Sequence, residues 1–260
     1  MLKKFYLLAF MVSFAMPVQA KNCLNYVYPQ TMGIHSLPHI VAKSTGIYGI
    51  DVSHHQGQID WRKAKQAGVS FAYLKASEGR KFIDPCFTQN WLGTKQAGVV
   101  RGAYHFFHAN IDPIEQAKNF IQQVQPLLTG FALPPALDIE YTPNMNSVTA
   151  IELMAKAKQW LEYVEHALGV TPIIYTSQSF WEDYIGNNPV FAKYPLWLAA
   201  AMRQPGPPSS WQEWTFWQFS PRGQVPGIMT AVDLNYFGGN KKEFLKLLTD
   251  QTYPRIQKIG

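Results

Sequence analysis

Two carboxylates that could carry acid–base chemistry lie two residues apart in the stretch Leu133-Pro-Pro-Ala-Leu-Asp-Ile-Glu-Tyr141. The apolar run after the prolines predicts a strand over 136–140, on which Asp138 and Glu140 point to the same face. Residues two apart on a strand are roughly 7 Å apart, so each charge raises the pKa of the other carboxyl. A protonated acid beside an ionised one is the pair that acid-catalysed glycoside cleavage requires. The structural alternative is an acidic strand end that caps a neighbouring helix.

The elements that would position this pair alternate between strand and helix patterns. Strands are predicted at Tyr48–Ser53, Val69–Lys75, Val99–Phe107, 136–140, Ile173–Thr176, Leu196–Ala200, Trp214–Ser220 and Ala231–Asn235. Helices are predicted at Asp60–Ala67, Phe87–Ala97, 113–125, Ser147–Leu168, 178–185 and 240–249. Five strand–helix units followed by three strands with Pro/Gly/Ser-rich connections indicate an α/β fold. We expect a single TIM-like barrel of (β/α)5(β)3 type, with the last three strands poor in helices.

In such barrels the reactive side chains lie at the carboxyl ends of the strands. Four acids fall at predicted strand ends and should converge on one rim: Asp51, Asp138, Glu140 and Asp233. Each carboxylate raises the cost of ionising the others, so a purely structural rim would not be expected to collect four of them.

Other side chains at the same strand ends are candidates for substrate binding. They are Tyr104, Tyr175, Trp197, Trp217, Gln218, Lys75 and Glu78. Aromatic rings offer flat apolar faces to sugar rings, although each of these aromatic residues could equally belong to the core. Lys75 and Glu78 could instead form an ion pair under the rim without touching a ligand.

The order of these motifs resembles the signature of glycoside hydrolase family 25, the Chalaropsis-type lysozymes. The resemblance is carried by Asp51-Val-Ser-His-His-Gln-Gly57, by Gly68, and by Tyr73-Leu-Lys-Ala-Ser-Glu-Gly79 with Phe82 and Asp84. Later blocks match at Arg101-Gly-Ala-Tyr-His-Phe106, Asp138-Ile-Glu140, Trp217-Gln-Phe and Val232-Asp-Leu-Asn235. The similarity covers residues 47–250, which we take as the catalytic barrel.

The resemblance implies a lysozyme that cleaves the β-1,4 bond between N-acetylmuramic acid and N-acetylglucosamine in peptidoglycan, without a cofactor. By matching position, Glu140 would be the general acid. Asp138 would stay ionised and either stabilise the positive charge on the sugar or orient its N-acetyl group. Asp51 and Asp233 would be flanking acids. The family is treated as retaining, with the acetamide oxygen as nucleophile, while attack by Asp138 or by water remains open.

Two other functions are compatible with parts of the pattern. A non-catalytic glycan-binding barrel would keep the aromatic residues but lose an acid, whereas all four acids are present. A hydrolase of another N-acetyl sugar polymer, such as chitin, would keep the acids and differ in its loops. A zinc site is disfavoured by the competing acids and by the lack of motif spacing among His54, His55, His105 and His108.

The first 20 residues predict a secretory signal peptide rather than an uncleaved membrane anchor. Lys3 and Lys4 precede an apolar run that is short for a membrane span, and Val18-Gln-Ala20 supplies small residues for cleavage. We therefore expect a periplasmic or secreted protein. Residues 21–46 are expected to form an irregular arm and residues 251–260 a C-terminal tail.

Composition and cysteine content limit the partners of the exported chain. Loss of two lysines with the signal peptide lowers the formal charge from +6 to +4, and no Lys/Arg run indicates nucleic acid. No sequence feature indicates an oligomer, so a monomer is expected. Cys23 and Cys86 are the two cysteines, and an oxidising compartment favours a disulfide between them.

Overall fold

A computed structural model describes residue 23 and residues 46–128, 130–142, 147–186, 188–201 and 204–250. The predicted signal peptide and the predicted tail lie outside these described residues. Of the predicted arm, only Cys23 and Gly46 are described.

Within the described residues the chain forms eleven strands and six α-helices. The strands are β1 (Tyr48–Val52), β2 (Phe71–Glu78), β3 (Phe82–Ile83), β4 (Val100–Phe106), β5 (Phe131–Ala132), β6 (Ala136–Asp138), β7 (Ile173–Ser177), β8 (Leu196–Ala199), β9 (Phe216–Gly223), β10 (Val232–Phe237) and β11 (Thr249–Asp250). The helices are α1 (Trp61–Gln66), α2 (Phe87–Ala97), α3 (Pro113–Val124), α4 (Ala150–Leu168), α5 (Gln178–Tyr184) and α6 (Lys241–Leu247).

Eight of these strands close into a barrel in the order β1-β2-β4-β6-β7-β8-β9-β10. Neighbours from β1 to β9 are parallel, whereas β10 is antiparallel to both β9 and β1. Helices α1 to α5 connect the first six barrel strands, and in the described part of the chain no α-helix lies between β8 and β10. The predicted TIM-like barrel with helix-poor last strands is confirmed.

The main differences from the sequence prediction concern strand ends and small strands. The strand predicted over 136–140 ends at Asp138, and the one predicted from Trp214 begins at Phe216 and continues to Gly223. The short strands β3, β5 and β11 were not predicted. β3 pairs with the end of β2, and β11 pairs with β5 in a separate two-stranded sheet.

Local sequence accounts for the helix boundaries. The Asp112 carboxylate accepts hydrogen bonds from the backbone N–H groups of Ile114 and Glu115, and Pro113 opens α3. Thr149 and Glu152 form a capping box at the start of α4. Gly169 ends α4 with φ of 68°, a left-handed conformation that glycine adopts without steric cost. These signals fix where each helix returns the chain to the barrel.

The barrel interior is apolar at its amino end and polar at its carboxyl end. Phe71, Tyr73, Trp197 and Phe216 fill the lower layer, where the Tyr73 and Trp197 rings stack with centroids 4.6 Å apart. Glycine makes room for them, because a Cβ at Gly102 would approach the Tyr73 ring to 2.4 Å. The barrel is therefore a packed core rather than a pore at this level, and the cavity that the described residues form lies in its upper layer.

The predicted disulfide joins Cys23 to Cys86, which lies just before α2. Both cysteines are buried. The backbone N–H of Cys86 donates to the Asp84 carboxylate (2.9 Å), which also accepts hydrogen bonds from the backbone N–H (2.9 Å) and ring Nδ1 (2.8 Å) of His54. Asp84 thereby connects the disulfide to the 54–56 turn at the end of β1.

Candidate active site

A cavity of about 460 Å³ opens at the carboxyl ends of the parallel barrel strands. Its lining residues are Asp51, Val52, Ser53, His55, Gln56, Lys75, Tyr104, Phe106, Asp138, Glu140, Tyr175, Trp197, Gln218, Pro221 and Asp233. The four acids predicted to converge all line this one cavity.

Asp233 reaches this rim by a different route from the one expected. It is the second residue of β10 and therefore lies near the start of its strand, not at the end as the sequence analysis supposed. Because β10 runs antiparallel to its neighbours, its amino end meets the carboxyl ends of the other strands. Asp233 lies opposite Asp51 in the register of β10 with β1.

Asp138 and Glu140 face the cavity together because the chain stays extended past the end of β6. The backbone N–H of Ile139 donates to the carbonyl oxygen of Tyr175 at 3.0 Å, which continues the pairing with β7 by one residue. Ile139 is buried in the apolar layer between barrel and helices. Its two neighbours therefore point to the opposite side, as alternation along an extended chain requires.

Burial raises the pKa of both carboxyls of this pair. The Asp138 side chain is buried, and its Oδ1 has no hydrogen-bond partner among the described residues. Burial, followed by the charge of Glu140, holds the pKa of Asp138 well above its usual value. The pKa of Glu140 is raised by burial and then by the charge of Asp51. The stronger shift at Asp138 runs against the expectation that this residue stays ionised beside a protonated Glu140.

Asp51 and Asp233 form a second pair that shares a proton. The Oδ2 atom of Asp51 accepts hydrogen bonds from the side-chain amides of Asn235 (2.7 Å) and Gln218 (3.0 Å), and its carboxylate is also hydrogen-bonded to Asp233. Burial and the charge of Asp51 raise the pKa of Asp233 to about 9. Asp233 is thus the protonated donor of the pair, and Asp51, with three donors around it, carries the negative charge.

Aromatic and amide side chains form the floor of the cavity and orient the donors to Asp51. The indole Nε1 of Trp197 donates to Asn235 Oδ1 at 2.7 Å, and the hydroxyl of Tyr175 donates to Gln218 Oε1 at 3.0 Å. These bonds leave the amide nitrogens directed at Asp51. The rings of Tyr104 and Tyr175 contact the Trp197 ring edge-to-face. Asn235 was not among the predicted site residues, although its spacing of two from Asp233 places both on one strand face.

Among the described residues, Lys75 is the one basic side chain of the lysine or arginine type that lines the cavity. Its ammonium lies 2.6 Å from Glu78 Oε2, while Glu78 Oε1 lies 2.8 Å from His108 Nε2. The same ammonium lies 4.8 Å from the centroid of the Phe106 ring. Glu78 itself does not line the cavity, so the ion pair considered in the sequence analysis describes it better than direct substrate binding does.

Trp217 does not lie in the cavity, which corrects its prediction as a residue of this binding site. Gln218 faces the interior, so Trp217, the preceding residue of β9, faces outward and packs against Trp214 and Phe219. Its indole Nε1 donates to the carbonyl oxygen of Ala200. The mistake arose because an aromatic residue near a strand end was assigned to the rim without regard to strand alternation.

Several lining residues were missed by the sequence analysis, notably Gln56, Phe106 and Pro221. Gln56 belongs to a 3₁₀ turn over His54–Gln56 that Ser53 caps. Its side-chain amide donates to the carbonyl oxygen of Ala231 at 3.2 Å, just before β10. The position of Gln56 within the Asp51–Gly57 motif was the available signal.

The described residues contain no group of three or more His, Cys, Asp or Glu side chains arranged to hold a metal ion. His105, one of the four histidines considered as zinc ligands, is buried and contacts Ser77 Oγ at 2.8 Å, and burial lowers its pKa to about 3. No described helix is long and apolar enough to cross a membrane.

Comparison with known proteins gives a consistent match across most of the chain. The model of glycosyl hydrolases family 25 matches residues 50–228. The YegX protein of Escherichia coli O157:H7 is 39% identical over 79% of this chain and 74% of its own length. Lysozyme M1 of Streptomyces globisporus is 36% identical over 79% of this chain and 72% of its own. The solved structure of the bacterial lysozyme from Streptomyces coelicolor superposes with a TM-score of 0.74 at 34% identity, over 81% of this chain and all of that one.

Proposed function

The chain belongs to glycosyl hydrolases family 25 and is a glycoside hydrolase, and from this premise we propose that it is an exported N-acetylmuramidase. Its reaction is hydrolysis of the β-1,4 bond between N-acetylmuramic acid and N-acetylglucosamine in peptidoglycan. The names of the relatives, lysozyme and N,O-diacetylmuramidase, support this substrate class.

One observation carries the proposal most strongly. Asp138 and Glu140 open side by side into the same cavity, neither is paired with a described arginine or lysine within salt-bridge distance, and both have raised pKa values. A buried carboxyl without a cationic partner is costly to ionise, and a folded protein keeps such groups mainly where they react or bind. Two of them flanking a sugar-sized cavity match the requirement of glycoside hydrolysis.

In the proposed reaction Glu140 donates its proton to the glycosidic oxygen as the bond breaks. Glu140 is the less buried of the two carboxyls, which suits it to exchange protons with a leaving group and then with water. Burial, followed by the charge of Asp51, raises the pKa of Glu140 and so favours its protonated form. General acid catalysis of this kind contributes about 10²- to 10⁴-fold to the rate.

Asp138 takes the complementary role of a carboxylate that meets the positive charge on the sugar. Burial favours a proton on Asp138 in the protein alone, but a positive charge developing in the bound sugar lowers the pKa of a neighbouring carboxyl. An acetamido N–H of the substrate is a suitable donor for Asp138 Oδ1, the buried oxygen without a partner. Sugar binding would thus favour release of the Asp138 proton to solvent, while Glu140 keeps its own proton for the glycosidic oxygen.

The remaining acids and the floor hold this arrangement in place. Asp51 is fixed by Asn235, Gln218 and Asp233, so its charge acts on Glu140 from a constant position. Trp197 and Tyr175 supply apolar surface under the sugar while their polar groups are bonded to Asn235 and Gln218. Preorganised charge of this kind needs little rearrangement during the reaction.

The central test compares two polymers and one substitution. Purified peptidoglycan and chitin are digested in parallel, and the product ends are identified by mass spectrometry. We expect peptidoglycan fragments that end in reducing N-acetylmuramic acid. Efficient cleavage of chitin instead would identify the alternative polymer hydrolase, and binding without cleavage of either would identify a glycan-binding barrel.

In Glu140→Gln we expect the activity on peptidoglycan to fall by about 10²- to 10⁴-fold, with no change in the melting temperature. Glu162→Gln serves as the control, because Glu162 is paired with Lys158 on the outer face of α4 and lies away from the cavity. Turnover close to wild type in Glu140→Gln would remove this residue from the role of general acid.

The proposed export has its own readout. The mature protein recovered from the periplasm or the medium should begin at Lys21, immediately after the predicted cleavage site. Recovery of the full-length chain in the cytoplasm alone would contradict the assignment of residues 1–20 as a signal peptide.

A further inference from the structure

We propose that Tyr141 forms a second carbohydrate-binding surface, outside the cavity, for a sugar further along the same glycan strand. This inference rests on the proposed muramidase function and adds to it a binding site for the part of the polymer that the cavity does not enclose. Tyr141 directly follows Glu140 in the chain and is not one of the residues that line the cavity.

Tyr141 is exposed, yet its ring is held in place. Tyr141 is 49% exposed, whereas the rings of Tyr104, Phe106 and Tyr175 in the cavity are half-buried. The hydroxyl donates to Asp183 Oδ2 at 2.6 Å. The ring contacts Phe180 and Tyr184 edge-to-face, with centroids 5.2 Å and 5.6 Å away.

The rings that support Tyr141 pack against each other. Phe180 and Tyr184 stack on each other along α5, with centroids 5.1 Å apart and planes 18° from parallel. Phe180 is fully buried and anchors this aromatic group to the core. A ring fixed from below and exposed above loses little conformational entropy when a ligand covers it, which favours binding.

The chemistry of the surface fits a pyranose ring better than an apolar partner. The C–H groups on one face of a sugar form an apolar patch that packs on an aromatic ring, while the sugar hydroxyls need polar neighbours. Asp183 is exposed beside the ring and can accept hydrogen bonds from those hydroxyls. Exposed aromatic rings next to carboxylates satisfy both needs at once.

Continuity with the cavity identifies the occupant as the substrate strand itself. A glycan polymer is longer than a cavity of about 460 Å³ can enclose, so the sugars beside the cleaved bond must lie on the surrounding rim. Tyr141 directly follows the proposed general acid Glu140, which lines the cavity, and its ring packs on α5. A strand held by Glu140 and its neighbours would therefore pass close to this ring on the α5 side of the mouth.

The test separates loss of the ring from loss of its hydrogen bond. In Tyr141→Ala we expect the KM for long peptidoglycan strands to rise roughly three- to tenfold, the range expected for one aromatic contact. The kcat should not change, and short fragments that fill only the cavity should be cleaved as by wild type. Tyr141→Phe keeps the ring and should retain a KM within about twofold of wild type.

Phe131→Ala provides the matched control, because Phe131 is also an exposed aromatic residue but lies at the amino end of the barrel. It should leave the KM for both substrates unchanged. A binding measurement that needs no turnover is co-sedimentation with insoluble peptidoglycan in the Glu140→Gln background, where adding Tyr141→Ala should weaken binding by a similar factor.

The outcomes distinguish this site from the proposed function. If wild type cleaves peptidoglycan and Tyr141→Ala matches it on long strands, the surface is not a binding site. An equal loss on long and short substrates would also overturn the proposal, because it would mean that the substitution displaces Glu140. If wild type does not cleave peptidoglycan at all, the muramidase proposal fails first.

Discussion

The shared proton between Asp233 and Asp51 leads to a prediction about stability that does not depend on catalysis. Asp233 keeps its proton in the folded chain up to about pH 9, whereas its ordinary pKa is 3.8. Between these two values the folded chain holds one more proton than the unfolded chain. The stabilisation from the proton on Asp233 is therefore fully present below pH 3.8, and it is lost as the pH rises towards the pKa of about 9 that Asp233 has in the folded chain.

Asp233→Asn removes this dependence while it preserves the shape of the protonated side chain. The Asn side-chain amide can still donate to Asp51, so the change at acidic pH should be small. A single group that differs in protonation between folded and unfolded states changes the free energy of unfolding by about 1.4 kcal/mol per pH unit. From pH 5 to pH 8 the free energy of unfolding of Asp233→Asn should therefore rise by about 4 kcal/mol relative to that of wild type.

Urea unfolding of the two proteins at pH 5, 6, 7 and 8, with the disulfide intact, measures this difference directly. The difference in the free energy of unfolding should rise steadily with pH, with a slope of about 1.4 kcal/mol per pH unit. Asp60→Asn is the control, because the pKa of this exposed helix cap is lowered. The stabilisation that Asp60 contributes is therefore lost as the pH falls, which is the opposite dependence to that of Asp233. A constant difference between Asp233→Asn and wild type would refute the assignment of the proton to Asp233.

Two other perturbations follow from contacts around the cavity. Lys75→Met removes the ammonium that lowers the pKa of both Asp138 and Glu140, so both limbs of the kcat/KM profile should move to higher pH. Glu78→Gln removes a charge that raises the pKa of Asp138, so the limb that Asp138 sets should move to lower pH, and an unshifted profile in both variants would contradict the electrostatic account. Cys86→Ser removes the disulfide to Cys23, which closes a loop of 63 residues. The substitution should lower the free energy of unfolding by roughly 4 kcal/mol and Tm by on the order of 10 °C. In calorimetry, reductant should lower the Tm of wild type and should not change that of the variant.

The sequence was sufficient to predict the barrel because local signals and hydrophobic periodicity agreed. All eight barrel strands and six helices appear close to their expected places, and the longest helix ends at the glycine that predicted its end. Asp51, Asp138 and Glu140 converge because the carboxyl ends of parallel strands meet at one edge of a barrel, and Asp233 joins them from the amino end of the antiparallel strand β10.

Other features were not predictable from the same patterns. A period of two identifies a strand but not its direction, so the antiparallel course of β10 was missed. Residue type alone assigned Trp217 to the rim, although its neighbour Gln218 faces the cavity and the two cannot share a face. The proton distribution within the acid pairs depends on depth of burial and on donors such as Asn235, which are properties of the assembled fold.

The antiparallel pairing of β10 with β1 also determines when this enzyme can become active during its synthesis. Asn235 and the Asp51 carboxylate that it contacts are 184 residues apart, and both belong to strands that complete the barrel. Contacts of such long range form slowly, because the entropy of closing the long intervening loop is lost before the contact stabilises the fold. A ribosome-bound or truncated chain that lacks β10 lacks Asn235 and Asp233, so Asp51 loses two of its three donors and the barrel is not closed. Hydrolytic capacity therefore arises only in a chain that has been made and folded almost to its end.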